Sequence, residues 1–179
     1  MKELALNILD IAENSVKAKA TLTEISIEET GEKLILTFTD NGTGMTDEVL
    51  KTVTDPFYTT RTTRKVGMGL PLLKLEAEMT GGSLKITSRH IDNNPINHGT
   101  QVCAVFYKNH IDCVPLGDVI ETIATLIQGH PNTDFVFTHK IGDKEISLDT
   151  RELRTVLEGV PLNTYEVILW VKEYLKEQY

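Results

Sequence analysis

At 179 residues, with 40% hydrophobic and 25% charged residues, the chain has the composition of a globular protein with room for one ordinary domain, or one and a small appendage. Low-complexity and collagen-like classes are excluded, and no apolar run approaches the roughly 18 residues a membrane helix needs. A net charge of −8 makes the chain a poor non-specific binder of nucleic acid or anionic membrane, because it repels the phosphates it would have to approach. The opening stretch MKELALNILDIAENS carries acids within its apolar run and does not read as a secretory signal. Cys103 and Cys113 are too few for a disulfide framework, so the expected compartment is the reducing cytoplasm. His110 and Cys113 have a ligand-like spacing, but no second pair completes a zinc site.

In chain order, residues 2–18 are expected to form an amphipathic helix, with Leu4, Ile8, Ile11, Ala12 and Val16 as its apolar stripe. Residues 24–29 and 33–39 alternate as strands around Thr30-Gly31-Glu32, which predicts a hairpin. After the loop Asp40-Asn41-Gly42-Thr43-Gly44, Met45 to Thr54 reads as a short helix with Thr46 as its N-cap. Residues 69–80 read as a helix stopped by Thr80-Gly81-Gly82, and 83–90 and 100–107 as strands. The character changes near Lys108, and a boundary around 108–115 is expected, dividing the chain into 1–110 and a small α+β extension over 111–179. That extension reads as a helix (117–128), a strand hairpin around Gly142-Asp143 and two helices, the first capped by Asp149 and the second opened by an Asn163/Glu166 capping box. Phe135, Phe137, Ile146, Leu148, Trp170 and Tyr174 are its expected core; exposure of Trp170 or Tyr174 would instead mark a partner surface. About 70 residues make a marginal core alone, so the extension is expected to pack on the first part.

The chemistry gathers in the first part. Asn7, Asp10, Asn14 and Lys17 share one polar face of the first helix, and Glu13 lies off it as a solvated residue. Asp40-Asn41-Gly42-Thr43-Gly44 follows a hydrophobic strand, where a carboxylate can accept a hydrogen bond from an exocyclic amine and glycines admit a flat ligand. The run Asp55-Pro56-Phe57-Tyr58-Thr59-Thr60-Arg61-Thr62-Thr63-Arg64-Lys65 sets three bases within five positions. Gly67-Met68-Gly69-Leu70 then opens a helix whose free amides suit phosphate, and Gly99-Thr100 starts a strand.

In this order, the five segments resemble the GHKL (Bergerat-fold) ATPases over residues 2–107. Asp10 to Lys17 resembles the N-box, Asp40 to Gly44 the G1 box, Asp55 to Arg61 an F-box, Gly67 to Leu70 the G2 box and Gly99-Thr100 the final box. The F and G2 segments look most like those of histidine kinases. The resemblance implies a two-layer α/β (α+β) sandwich, with helices on one face of a mixed, mainly antiparallel sheet, and binding of ATP with Mg²⁺. It implies that Asn14 coordinates Mg²⁺, Asp40 binds the adenine amine with help from a water near Thr100, and Gly42 and Gly44 admit the adenine. Lys17 reaches phosphate oxygens, Thr60, Arg61, Arg64 and Lys65 lie in a lid over the phosphates, and Gly67, Met68, Gly69 and Leu70 present amides to them.

Two departures leave the activity open. Asp10 stands where the gyrase and MutL branch has a glutamate base and histidine kinases commonly have Asn or His; it is either a general base or a group beside the metal or phosphate. Only 13 residues precede Asn14, too few for a dimerisation hairpin, and His90, His98, His110, His130 and His139 are expected in strands or loops as solvated or structural residues. The expected function is a histidine-kinase-like ATP-binding protein that transfers phosphate to, or regulates, a separate protein partner. An ATP-hydrolysing switch of MutL or gyrase type, or a nucleotide-binding regulatory module without turnover, are the alternatives. No nucleic-acid or membrane partner is expected.

Overall fold

The alternating segments settle into one six-stranded sheet. The computed structural model describes residues 3–55, 57 and 68–179. The elements run α1 (Leu4–Lys17), β1 (Leu22–Glu29), β2 (Lys33–Asp40), α2 (Asp47–Thr52), α3 (Gly69–Met79), β3 (Ser83–Arg89), β4 (Gly99–Tyr107), α4 (Val119–Gly129), β5 (Asp134–Ile141), β6 (Lys144–Asp149), α5 (Thr150–Leu157) and α6 (Tyr165–Gln178). Strand order is β3-β4-β2-β1-β5-β6. All neighbours are antiparallel except β1 and β5, which run parallel with Leu22 opposite Asp134 and Ile25 opposite Phe137. This is the two-layer sandwich with a mixed, mainly antiparallel sheet, and the two strands of the C-terminal segment lengthen that same sheet.

The period of two sends Ile25, Ile27, Leu36, Phe38, Val102, Ala104, Phe106, Phe135 and Phe137 to one face, where all are buried. The helices cover that face, α1 between α3 and α4, and α4 against α6. Leu4, Ile8, Ile11 and Ala12 are the buried stripe of α1, as its sequence period predicts. The start of α1 has no side-chain cap; its first amides are satisfied by the C-terminal segment, Leu4 N donating to Pro115 O (2.9 Å) and Ala5 N to Leu116 O (2.8 Å). Thr46 caps α2 and Asp149 caps α5, accepting from the Arg151 amide. At α6 the N-cap is Thr164 rather than Asn163, and its hydroxyl donates back to Pro161 O (2.7 Å), so no capping box forms.

Among the five histidines, His139 is almost fully buried on β5, bridging Glu29 Oε1 (2.9 Å) and the Tyr179 hydroxyl (2.7 Å). Burial holds its pKa below the ordinary histidine value, against the opposing pull of Glu29. Phe135, Phe137, Ile146 and Leu148 are core, whereas Trp170 and Tyr174 are half-exposed, which corrects their expected place in it. No helix among the described residues is long and apolar enough to cross a membrane.

Candidate functional site

The site forms where β2 ends and β4 begins, under the C-terminal half of α1. In the β2–β4 register Asp40 lies opposite Thr100, and both face the helices. Three donors fix the Asp40 carboxylate. Oδ1 accepts from the amides of Gly42 (2.9 Å) and Thr100 (3.3 Å), and Oδ2 accepts from the Ser15 hydroxyl (2.8 Å). A carboxylate has about four acceptor positions. One therefore remains for a donor arriving from the cavity that Asp40 lines.

That cavity, of about 270 Å³, lies between α1, α2 and the sheet. Its walls are apolar, formed by Ile11, Phe38, Met45, Val49, Val53, Leu70 and Val102, and its polar groups are Asn14, Ser15, Lys17, Asp40 and Thr100. An apolar slot ending on one oriented carboxylate has the shape and chemistry to take a flat ligand whose edge carries an amine. Ser88 ties the adjoining loop to the sheet: its Oγ accepts from the Met45 amide (2.7 Å) and lies 2.7 Å from the Thr100 hydroxyl. Thr43 N donates to Ala18 O (2.8 Å), holding the same loop against the end of α1.

The loop needs its glycines for backbone approach. Gly44 sits at φ +72°, and a Cβ there would fall 2.0 Å from Arg89 O. A Cβ on Gly42 would meet Ala18 O at 2.8 Å and Asp40 Oδ1 at 3.0 Å. Gly44 lines the cavity, while Gly42 acts through its amide on Asp40.

A second hollow, of about 140 Å³, is lined by Asp10, Glu13, Asn14, Lys17 and Gly69. Asn14 and Lys17 line both spaces, so the apolar slot continues into a polar one. Gly69 opens α3 without a side-chain cap, and a Cβ on it would lie 3.3 Å from Asp10 Cβ. The first amides of α3 and the Lys17 ammonium thus meet the Asp10 and Glu13 carboxyl groups at one hollow, a mixed donor set that can hold a phosphate together with a cation. Burial raises the Asp10 carboxyl above the ordinary aspartate value; Lys17 opposes that rise and Glu13 adds to it. A carboxylate shifted upward is a better proton acceptor.

The structure thus brings together Asp10, Asn14, Lys17, Asp40, Gly44, Gly69, Leu70 and Thr100 around two joined spaces. Thr60, Arg61, Arg64, Lys65 and Gly67 lie outside the described residues, as does most of the F-box-like segment, and Met68 is the exposed N-cap of α3. Asn7 leaves the shared polar face: α3 covers that end of α1, and buried Asn7 donates to Glu76 Oε2 (2.7 Å). Glu13, expected in solvent, pairs with His130 Nε2 at 2.7 Å. Ser15 and Ser88 escaped the sequence reading of the site. Ser15 carried a signal in its position beside Asn14, on the turn of α1 that meets β2, while Ser88 carried none.

The profile of the histidine kinase-, DNA gyrase B- and HSP90-like ATPases matches residues 2–110. Sporulation kinase C of Bacillus subtilis (strain 168) is 32% identical over 90 residues, covering 49% of this chain and 20% of that protein. Sensor histidine kinase ZraS of Salmonella typhi is 27% identical over 88 residues, covering 49% of this chain and 19% of that one. The chain therefore spans about a fifth of the length of these curated relatives. Among solved structures, the Aquifex aeolicus MutL ATPase domain complexed with ADP superposes with a TM-score of 0.53 at 16% identity, over 88% of this chain and 70% of that one. The N-terminal domain of a DNA repair protein superposes with a TM-score of 0.56 at 17% identity, over 83% and 53% of the two chains. With the profile spanning more than half its length and the fold agreeing, this chain belongs to the histidine kinase-, DNA gyrase B- and HSP90-like ATPase family.

Proposed function

We propose that the chain binds ATP with Mg²⁺, adenine in the apolar slot against Asp40 and phosphates in the hollow beside Asn14, Lys17 and Gly69, and that it passes phosphate to, or regulates, a separate protein. The observation that carries this reading is the Asp40 carboxylate, oriented by Ser15, Gly42 and Thr100 at the end of an apolar cavity that continues into the polar hollow. Family membership and the two kinase relatives support it, and the ADP held by the structurally similar MutL domain is in keeping with it.

The donor set fits Mg²⁺. Asn14 offers an amide oxygen, a hard ligand of the kind this ion takes, and Asp10 lines the same hollow one turn before it. Asn14 faces the hollow in which this reading places the nucleotide's phosphates. Bound there, Mg²⁺ supplies charge neutralisation across the phosphates. In this reading Lys17 and the α3 amides at Gly69 and Leu70 orient phosphate oxygens; the phosphate contacts expected of Thr60, Arg61, Arg64, Lys65 and Gly67 lie outside the described residues. Asp10 holds or accepts a proton at the attacking oxygen.

The raised Asp10 carboxyl also favours a second reading, hydrolysis with water as the acceptor. The variant Asp10→Ala is expected to lower γ-phosphate release from ATP by about 100-fold or more while ADP affinity stays within about threefold. Measured with γ-labelled ATP, unchanged release in that variant would remove Asp10 from the chemistry. Label appearing on a protein that co-purifies with the chain would favour transfer over hydrolysis.

A further inference from the structure

The C-terminal helices leave an apolar groove that shares no lining residue with the candidate site. It is a cavity of about 480 Å³ between α5 and α6, beside edge strand β6. Buried Leu148, Leu153 and Val167 form its floor. Its walls are exposed, with Val156 at 78%, Trp170 at 46% and Tyr174 at 38%. Trp170 and Tyr174 stack at 4.7 Å with 13° between their planes, an aromatic pair on the α6 side of the groove.

The charge at this groove has one sign. Glu152 lines it from α5 and Glu166 from α6, and neither is paired with another described residue. Asp149 also lines it but is held by Arg151. Among the described residues no basic side chain lines it, and the described cations nearby are engaged: Arg154 with Asp134 at 2.7 Å and Lys172 with Glu121 at 2.8 Å.

We propose that this groove is the docking site for a cationic amphipathic helix of another polypeptide, its apolar side chains seated over Leu153 and Val167 against Trp170 and its lysines or arginines facing Glu152 and Glu166. From Glu166 to Tyr174 the α6 wall runs about 12 Å, the length of two helical turns, which suits anchors spaced i, i+4 and i+7. Polar atoms at a small-molecule site converge as donors and acceptors, whereas here they are carboxylates flanking an apolar trough. Anionic lipid is repelled by the same carboxylates. A second copy of the chain docked two-fold on this face would set Glu152 and Glu166 against their own counterparts.

Trp170 is the chain's single tryptophan, so its emission reads the groove directly. The probes are two synthetic helical peptides with identical leucine and phenylalanine anchors, one flanked by lysines and the other by glutamates. The lysine peptide is expected to shift Trp170 emission saturably, with affinity falling as salt rises. The pair Glu152→Lys and Glu166→Lys, both on exposed positions, should weaken it about tenfold or more with the far-ultraviolet circular dichroism unchanged. The proposal is overturned by equal binding of the glutamate peptide, by salt-independent binding or none, by an unaffected charge-reversed variant, or by emission that follows dilution of the protein alone. None of these outcomes depends on nucleotide.

Discussion

Replacing Asp40 with asparagine is expected to weaken nucleotide binding by about 100-fold, a difference of about 2.7 kcal/mol. The wild-type carboxylate is acceptor-only and already takes bonds from Ser15, Gly42 and Thr100, leaving an acceptor position toward the cavity. Asparagine converts one oxygen into an NH₂ group. If the amide nitrogen takes the Oδ1 position it opposes the Gly42 and Thr100 amides; if it takes the Oδ2 position it faces Ser15 and the incoming amine. Either orientation sets donor against donor, and hydrogen bonds to a charged group contribute roughly 1.5–3 kcal/mol. The check is calorimetric titration with ADP on a variant whose circular dichroism matches the parent. Wild-type affinity in that variant would mean that the adenine does not sit against Asp40.

The second large effect is on stability. Phe137→Ala is expected to destabilise the whole chain by about 3–5 kcal/mol, the usual cost of removing a fully buried aromatic ring. Phe137 is completely buried on β5 and lies opposite Ile25 of β1 and Leu148 of β6, so its loss opens a void on the strand that joins the C-terminal segment to the rest of the sheet. Buried contacts run from α1 to α4 and from α4 to α6, and the α1 amides bond Pro115 and Leu116. Unfolding in urea should therefore stay a single transition, with its midpoint lowered and its slope unchanged. A biphasic curve whose second phase keeps the wild-type midpoint would show residues 111–179 unfolding as a separate unit.

Much of this fold was legible because its signals are local. The α1 stripe, the β1–β2 alternation, Thr46 and Asp149 as caps, and the glycines after α3 lie within a few residues of what they control. The candidate site is suggested by a different kind of signal: its segments are far apart in sequence, and only their order and spacing, matched to a known family, relate them, while most of the F-box-like segment lies outside the described residues. The parallel pairing of β1 with β5 left no such trace, since nothing near Leu22 points to Asp134. Trp170 looked like core because its side chain is large and apolar, but Val167, Ile168, Val171 and Leu175 already fill the inward face of α6. Asn7 shared a helical face with Asp10 and Asn14, yet α3 rather than the site covers that end of α1. Glu13 looked solvated because its partner, His130, comes from the far end of α4.

The central claim, that Asp40 reads the amine of an adenine in the slot between α1, α2 and the sheet, is tested most directly by titrating the chain calorimetrically with ADP and with GDP in the presence of Mg²⁺. Adenine offers Asp40 a donor where guanine places a carbonyl oxygen, so a guanine in the same pose would set acceptor against acceptor. The expected result is saturable binding of one ADP per chain, with GDP weaker by about 30-fold or more. Equal affinity for the two nucleotides, or binding of neither, would contradict it.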